Sequence, residues 1–336
     1  MTVDVQPVTL ALPRPRGELS AAVVALLRGE TDRLEVSPAP ADPYGEDLQL
    51  ALHTCYELHY QGFTGVDPEL EWDPRLLSWR AGLENRFLAA LRADVAGGTD
   101  LDAELEQLLV EPVEATGIGA FLRAEGEWWH MREYFAHRSI YHLKEADPYA
   151  WAIPRLRGQA KAALVAVEFD EFGGGRGDRV HAQLFADLLD GAGLNSGYLH
   201  YLDVVPAPML ALVNMMSLFG LHRRWRGALV GHFATVEITS PPAARRMAEA
   251  LTRLAADPAC VFFYTEHVEA DAVHEQVMRR DVIADLIARE PDLTESVVLG
   301  IQVTNLLESR IERHVLQDSW RAGRSSLLAP GLQSQG

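Results

Sequence analysis

Residues 264–274 read Tyr264-Thr265-Glu266-His267-Val268-Glu269-Ala270-Asp271-Ala272-Val273-His274. His267, Asp271 and His274 are spaced i, i+4 and i+7. At about 100° per residue they fall within roughly 60° of one another, so on a helix all three project from one stripe. Two imidazoles and a carboxylate on one stripe suit a first-row transition metal, and nitrogen and oxygen ligands with open positions favour iron. The apolar neighbours Val261, Phe262, Phe263, Val268 and Val273 predict a largely buried helix. Ionisable groups buried there need a partner, and a metal is one. The competing reading is a solvated acidic helix with histidines on its surface.

The rest of the chain reads as helices around that one. Leu48, Leu50, Leu52, Tyr56, Leu58 and Tyr60 predict a helix from Glu46 to about Gln61, and further helices are expected at 74–96, 100–109 and 118–145. A helix over 159–171 is interrupted by Gly173-Gly174-Gly175 and resumes near Val180. The pattern then predicts a long helix from Met209 to about Thr239, with the next opening at Pro241-Pro242. Asp257-Pro258 introduces the His267 helix, and a last helix spans about 292–317. Alternating strand patterns are scarce, so an all-α bundle follows, with its site between facing helices.

Before the bundle, residues 1–44 carry six prolines around one short apolar helix, Leu19 to Arg28, and read as an N-terminal helical extension. Its apolar face makes homodimerisation an expectation. Residues 45–115 read as auxiliary helices, 116–324 as the core bundle and 325–336 as a flexible tail.

The net charge of −18 argues against a nucleic-acid partner, which needs a basic face. No stretch reaches about 18 apolar residues, and no basic segment leads into an apolar run, so neither a membrane span nor a leader is expected. With only Cys55 and Cys260 in the chain, a disulfide scaffold is not indicated, and a cytoplasmic protein is the expectation.

Further ligands must come from earlier helices. Glu171 and His181 flank the glycine run. Ten residues of unbroken helix would leave them about 15 Å apart along the axis, too far to share a site. The three glycines let the chain unwind and restart, which could bring both side chains to one centre. A phosphate-cradling loop is the rival, but no Gly-Lys-Ser/Thr follows. On the preceding helix Glu145 competes with the pair Glu133 and His137, spaced i and i+4. Spacing alone does not choose between them.

Three separated segments carry a resemblance. They are His137-Arg138-Ser139 with Leu143-Lys144-Glu145-Ala146-Asp147-Pro148 and Trp151-Ala152-Ile153-Pro154-Arg155-Leu156; Asp170-Glu171-Phe172-Gly173-Gly174-Gly175 with His181; and His267-x3-Asp271-x2-His274. In this order they resemble the heme-oxygenase-like diiron oxidases and oxygenases, often labelled iron-containing redox enzymes, over roughly residues 45–320. The resemblance implies a heme-oxygenase-like helical bundle and six ligands, Glu145, His181 and His274 for one iron and Glu171, His267 and Asp271 for the second. Glu133, His137, His142 and Glu168 would then support the site or the fold. Two Fe(II)/Fe(III) ions, dioxygen as co-substrate and an external electron donor are implied with them.

The Glu-Ala-Asp-Pro and Asp-Glu-x-Gly-Gly-Gly contexts resemble the branch that oxygenates nitrogen. The implied substrate is a small amine or amino-acid-like metabolite, taken to a hydroxylamine, nitroso or nitro product. The alternative within the family is the same core acting on carbon, by desaturation, oxidative decarboxylation or C–C cleavage. A non-enzymatic iron-binding protein would lack a substrate pocket beside the metals. Phe135, Tyr141, Phe185, Phe263 and Tyr264 are the aromatic candidates for such a pocket, and Arg138 and Lys161 are candidates for a substrate carboxylate or for ion pairs.

Overall fold

The structure, a computed structural model, describes residues 10–110 and 116–332, with the side chains of 269–272 outside that description. Residues 1–9 of the expected extension, 111–115 of the auxiliary helices and 333–336 of the tail therefore lie outside the described residues. Every regular element among the described residues is helical, as the periodicity predicts. The longer elements are α1 (Glu18–Leu27), α2 (Glu46–Glu57), α3 (Pro74–Ala93), α4 (Leu101–Leu109), α5 (Ile118–Ala124), α6 (Trp128–His142) and the single turn α7 (Asp147–Ala150). After these come α8 (Gly158–Glu171), α9 (His181–Gly191), α10 (Ala207–Leu221), α11 (Arg226–Arg253), α12 (Pro258–Val277), α13 (Ala284–Arg289) and α14 (Thr294–Glu312). No helix among the described residues is long and apolar enough to cross a membrane.

The starts follow capping chemistry. Asp73 accepts from the Arg75 and Leu76 amides ahead of Pro74, and Asp257 accepts from the Ala259 amide ahead of Pro258. Both place an acceptor where a first turn has amides to satisfy, with proline at the position that needs no amide.

Three boundaries differ from expectation. The predicted 209–239 helix breaks at His222–Trp225, because the Arg155 guanidinium donates to the Gly220 and Leu221 carbonyls and so takes the acceptors a continuing helix would use. The predicted 118–145 helix breaks at Gly126, where Arg253 donates to the carbonyls of Leu122, Arg123 and Gly126. By contrast, α11 runs straight through Pro241 and Pro242. Those prolines cannot donate to the carbonyls four residues back, on Glu237 and Ile238.

Helix α11 is the spine, packing along α12 on one side and α14 on the other. The second contact is close: a Cβ on Gly231 would sit 2.1 Å from the Val297 carbonyl oxygen, and one on Gly300 would sit 2.0 Å from that of Ala228. Only glycine fits at that crossing. Helix α10 is buried on nearly every side, as its almost unbroken apolar sequence requires. The N-terminal extension joins the same core through Leu19, Val23, Leu26 and Leu27.

Ser326, at the start of the expected tail, is held by side chains of α6. The Ser326 amide and hydroxyl donate to Glu133 at 2.9 and 2.8 Å, and Trp320 Nε1 donates to the same oxygen at 3.0 Å. His137 Nε2 lies 2.9 Å from the Ser326 hydroxyl. The Glu133–His137 pair thus anchors the C-terminal segment, and Glu145 has no rival on α6.

Candidate metal centre

The centre is built from the end of α6, the α8–α9 turn, the middle of α11 and the inner face of α12. Glu171 is the last residue of α8 and His181 the first of α9. Gly173 between them has φ 69°, and a Cβ there would meet the Arg179 carbonyl carbon at 2.5 Å. A side chain is excluded by both conformation and space. The tight return places His181 Nδ1 2.6 Å from Glu171 Oε2.

Two groups of buried ligand-type atoms form around this contact. Glu145, His181 and His267 offer one atom each, all within 4.8 Å of one another, and so do Glu171, Glu237 and His274. Glu171 links the groups, because its Oε1 is 3.6 Å from His274 Nδ1 while its Oε2 faces His181. The structure thus brings together five of the six expected residues. Their grouping differs from the expected one: His267 joins Glu145 and His181, and His274 joins Glu171. The side chain of Asp271, the sixth, lies outside the described residues.

Glu237 is the addition. It sits on α11 with its Oε2 3.1 Å from His274 Nδ1. No local spacing marks it in the sequence, since its partners come from other helices. Only the two prolines that follow hint that α11 is unusual there.

His267 shows what the site is built to hold. Its Nδ1 lies 2.7 Å from the Phe263 carbonyl one turn back, so that nitrogen donates and Nε2 carries the lone pair. Nε2 is buried and has no hydrogen-bond partner among the described residues. An unsatisfied buried acceptor is costly unless a cation or donor meets it. Beside it, Glu145 accepts from His142 Nδ1 at 2.8 Å. Burial alone would raise the Glu145 carboxyl, but the neighbouring histidines hold it down at about 2, so it is ionised. Burial keeps His142 below its usual range. A set of histidine nitrogens and carboxylate oxygens, oriented by such outer contacts, fits a first-row metal.

The second group holds a proton in the metal-free chain. Burial would lower the His274 pKa, yet the hydrogen bond to Glu237 and the charges of Glu237 and Glu171 raise it to about 10. Asp170 adds a contact at 3.2 Å to Nε2. One turn before Glu171, Glu168 is buried with neither carboxyl oxygen paired among the described residues. Burial first, then the charges of Glu171 and Glu237, push it up to about 9, so it is a neutral acid at pH 7.

A cavity of about 430 Å³ opens onto His267, Phe263, Tyr264, Tyr141 and His142, and extends to Arg138, Thr239, Asn305 and Glu308. Arg138 forms a fork-to-fork pair with Glu308 at 2.8 and 2.7 Å. Tyr141 belongs to a buried chain of hydrogen bonds, 2.8 Å to the Tyr149 hydroxyl, from there 3.1 Å to His232 Nε2, and from His232 Nδ1 2.8 Å to Thr304. The Thr304 hydroxyl donates to the Gly300 carbonyl, which sets the direction of the whole chain and leaves Tyr141 as a donor to Tyr149. Phe135 and Phe185 are core residues with no exposure. Phe262 and Val273, expected inside, are 43% and 62% exposed, so α12 buries one face only. Both cysteines are buried, and burial pushes the thiols up to about 12 and about 11, which argues against a nucleophilic role.

A nitrosourea synthase from Streptomyces achromogenes subsp. streptozoticus is 25% identical over 283 residues, 84% of this chain and 55% of that protein. The chain therefore spans about half the length of that relative. The model of the iron-containing redox enzyme family matches residues 132–309, a span that holds every residue of both groups. With that match and its all-helical, heme-oxygenase-like bundle, the chain belongs to the iron-containing redox enzyme family.

Proposed function

We propose that the chain is a non-heme diiron oxygenase that uses dioxygen to oxygenate an amine nitrogen of a small metabolite. The observation that carries the reading is the pair of buried three-residue groups joined through Glu171, with His267 Nε2 unsatisfied between Glu145 and His181. Glu145, His181 and His267 would hold one iron, and Glu171, Glu237 and His274 the other, with Asp271 available from the same helix as His267. Iron bound there supplies the reduction of dioxygen, with electrons from an external donor.

The protein's own contribution is to orient and to exclude water. The cavity reaches the His267 side of the centre and no other described metal-ligand candidate lines it, so a substrate there approaches from that side. Its aromatic wall of Tyr141, Phe263 and Tyr264 gives a dry surface, while the Arg138–Glu308 pair and Asn305 offer hydrogen bonds of both signs. That combination suits an amino-acid-like molecule carrying both an amine and a carboxylate. Choice of nitrogen over carbon rests on the similar nitrosourea synthase, whose named product class bears oxidised nitrogen. A cavity beside the centre also favours an enzyme over an iron store.

The test is product analysis. Iron-loaded protein, a chemical reductant and a panel of amines and amino acids are exposed to ¹⁸O₂. A product carrying labelled oxygen on nitrogen is expected. Loss of hydrogen or of carbon dioxide without oxygen on nitrogen would move the reading to carbon oxidation, and oxygen uptake indifferent to every added compound would contradict an oxygenase.

A further inference from the structure

At the opposite end of α8 from Glu171 lies a second cavity, of about 490 Å³, lined by Arg155, Arg157, Arg223, Arg226, Arg289 and Glu290, with Leu286 the one apolar lining residue. Five guanidiniums against one carboxylate is the reverse of the chain as a whole, whose net charge is −18. Arg155, Arg226 and Arg289 have partners: Arg155 caps α10, Arg226 pairs with Glu290, and Arg289 pairs with Asp285 at 2.9 Å. The side chains of Arg157 and Arg223 make no hydrogen bond or ion pair among the described residues. Helix α11 begins at Arg226 in the same wall, and its first turn has no side-chain cap. Burial, and then the proximity of Arg223, hold the Arg155 guanidinium below its usual range, a sign of cations in mutual repulsion.

We propose that this cavity binds a small polyanion bearing two or more phosphoryl groups. Arginine forks match phosphate oxygens two at a time, and several forks on one concave wall select charge density over a single carboxylate. The volume lies within the range of small-molecule sites and leaves room for an organic body beside the phosphates. A flat protein-docking patch would not need this concavity. The site is separate from the metal centre: the fourteen residues of α8 place its two ends about 20 Å apart.

The test is calorimetric titration of the full chain with inorganic triphosphate, ATP and adenosine, at matched ionic strength. Saturable one-to-one binding of triphosphate is expected, weakened at least tenfold in the Arg157→Glu, Arg223→Glu double variant, because the two arginines replaced make no hydrogen bond or ion pair through their side chains among the described residues. Equal affinity for triphosphate and ATP would assign a free polyphosphate, and tighter ATP binding a nucleotide; both support the site. A His267→Ala variant separates it from the metal centre and should bind triphosphate unchanged. Absence of saturable binding by triphosphate and ATP, retention of full affinity in the double arginine variant, or loss of binding in His267→Ala would each overturn the assignment.

Discussion

Glu171 Oε2 and His181 Nδ1 stand 2.6 Å apart although ten residues separate them in sequence. The contact exists because α8 stops at Glu171, three glycines reverse the chain, and α9 starts on His181. The two residues then belong to different groups of ligand-type atoms, so this contact holds the groups beside each other.

Replacement of Gly173 by alanine should therefore disrupt both. The new Cβ would collide with the backbone at Arg179 and Val180 and would require a left-handed conformation. A loss of about 1–3 kcal/mol is expected, with reduced metal stoichiometry. Gly177→Ala is the control, since a Cβ there meets nothing within 4 Å. Thermal unfolding and metal analysis of the two variants should separate clearly; similar behaviour would remove the steric role of Gly173.

Metal binding should release protons. His274, raised to about 10, is protonated at neutral pH in the metal-free chain. Its interactions with Glu237 and Glu171 stabilise the metal-free fold fully below the ordinary histidine range near 6.5, and that contribution is lost as pH rises through about 10. A metal must displace this proton, so affinity should rise about tenfold per pH unit for one proton released, up to that value. Calorimetry with Mn(II) in buffers of differing ionisation heat measures the count. Zero protons released would contradict the charge state.

Glu168 gives a pH dependence of its own. Its folded-state pKa is about 9 against an ordinary value of 4.5, so folding retains a proton that the unfolded chain gives up. The sign is destabilising: stability falls as pH rises from about 4.5 to about 9. The groups acting on it are Glu171, Glu237, Asp147 and Glu145, all acidic. Glu168→Gln removes the titration and should stabilise the metal-free protein at pH 8 by about 2–3 kcal/mol relative to wild type, and much less at pH 5. Denaturant melts at the two pH values check this.

A buried ion pair braces the residue before Glu145. Lys144 Nζ is 2.5 Å from Glu57 Oε2, both side chains are essentially inaccessible, and the Tyr198 hydroxyl donates to the same oxygen at 3.1 Å. Lys144→Met leaves Glu57 as an uncompensated charge and should cost about 3–5 kcal/mol. Adding Glu57→Gln should recover much of that loss, because the orphaned charge disappears. A double variant no more stable than Lys144→Met would contradict the pairing argument.

How far the sequence discloses this arrangement depends on where each signal sits. The helices, the role of the triple glycine and four of the converging side chains are legible because local spacing carries them: His267 and His274 share a stripe, and Glu171 and His181 flank the turn. Glu145 is legible only through the family resemblance, since spacing does not choose it over Glu133 and His137. Glu237 is not legible. It lies among Val236, Ile238 and threonines on a helix whose other residues give no ligand pattern, and only the packing of α11 on α12 brings it to His274. The grouping of ligands depends on the same packing. Helix ends failed where distant arginines supplied the stop: Arg155 at α10 and Arg253 between α5 and α6 act from 65 to about 130 residues away. Glu133 and His137 mimic a ligand pair by spacing, and only Ser326 and Trp320 reveal their structural use.

Glu237→Ala should lower the metal content of the Glu171 and His274 group while leaving the Glu145, His181 and His267 group able to load. Metal analysis of the variant under anaerobic conditions is expected to give about half the wild-type content, and unchanged content would remove Glu237 from the set.

The most direct measurement is an anaerobic Fe(II) titration of the full chain, read by a metal-sensitive spectrum such as magnetic circular dichroism. Two irons per chain are predicted, with both signals lost in Glu171→Ala because that residue links the groups. Saturation at a single iron, or two irons retained without Glu171, would contradict the paired centre.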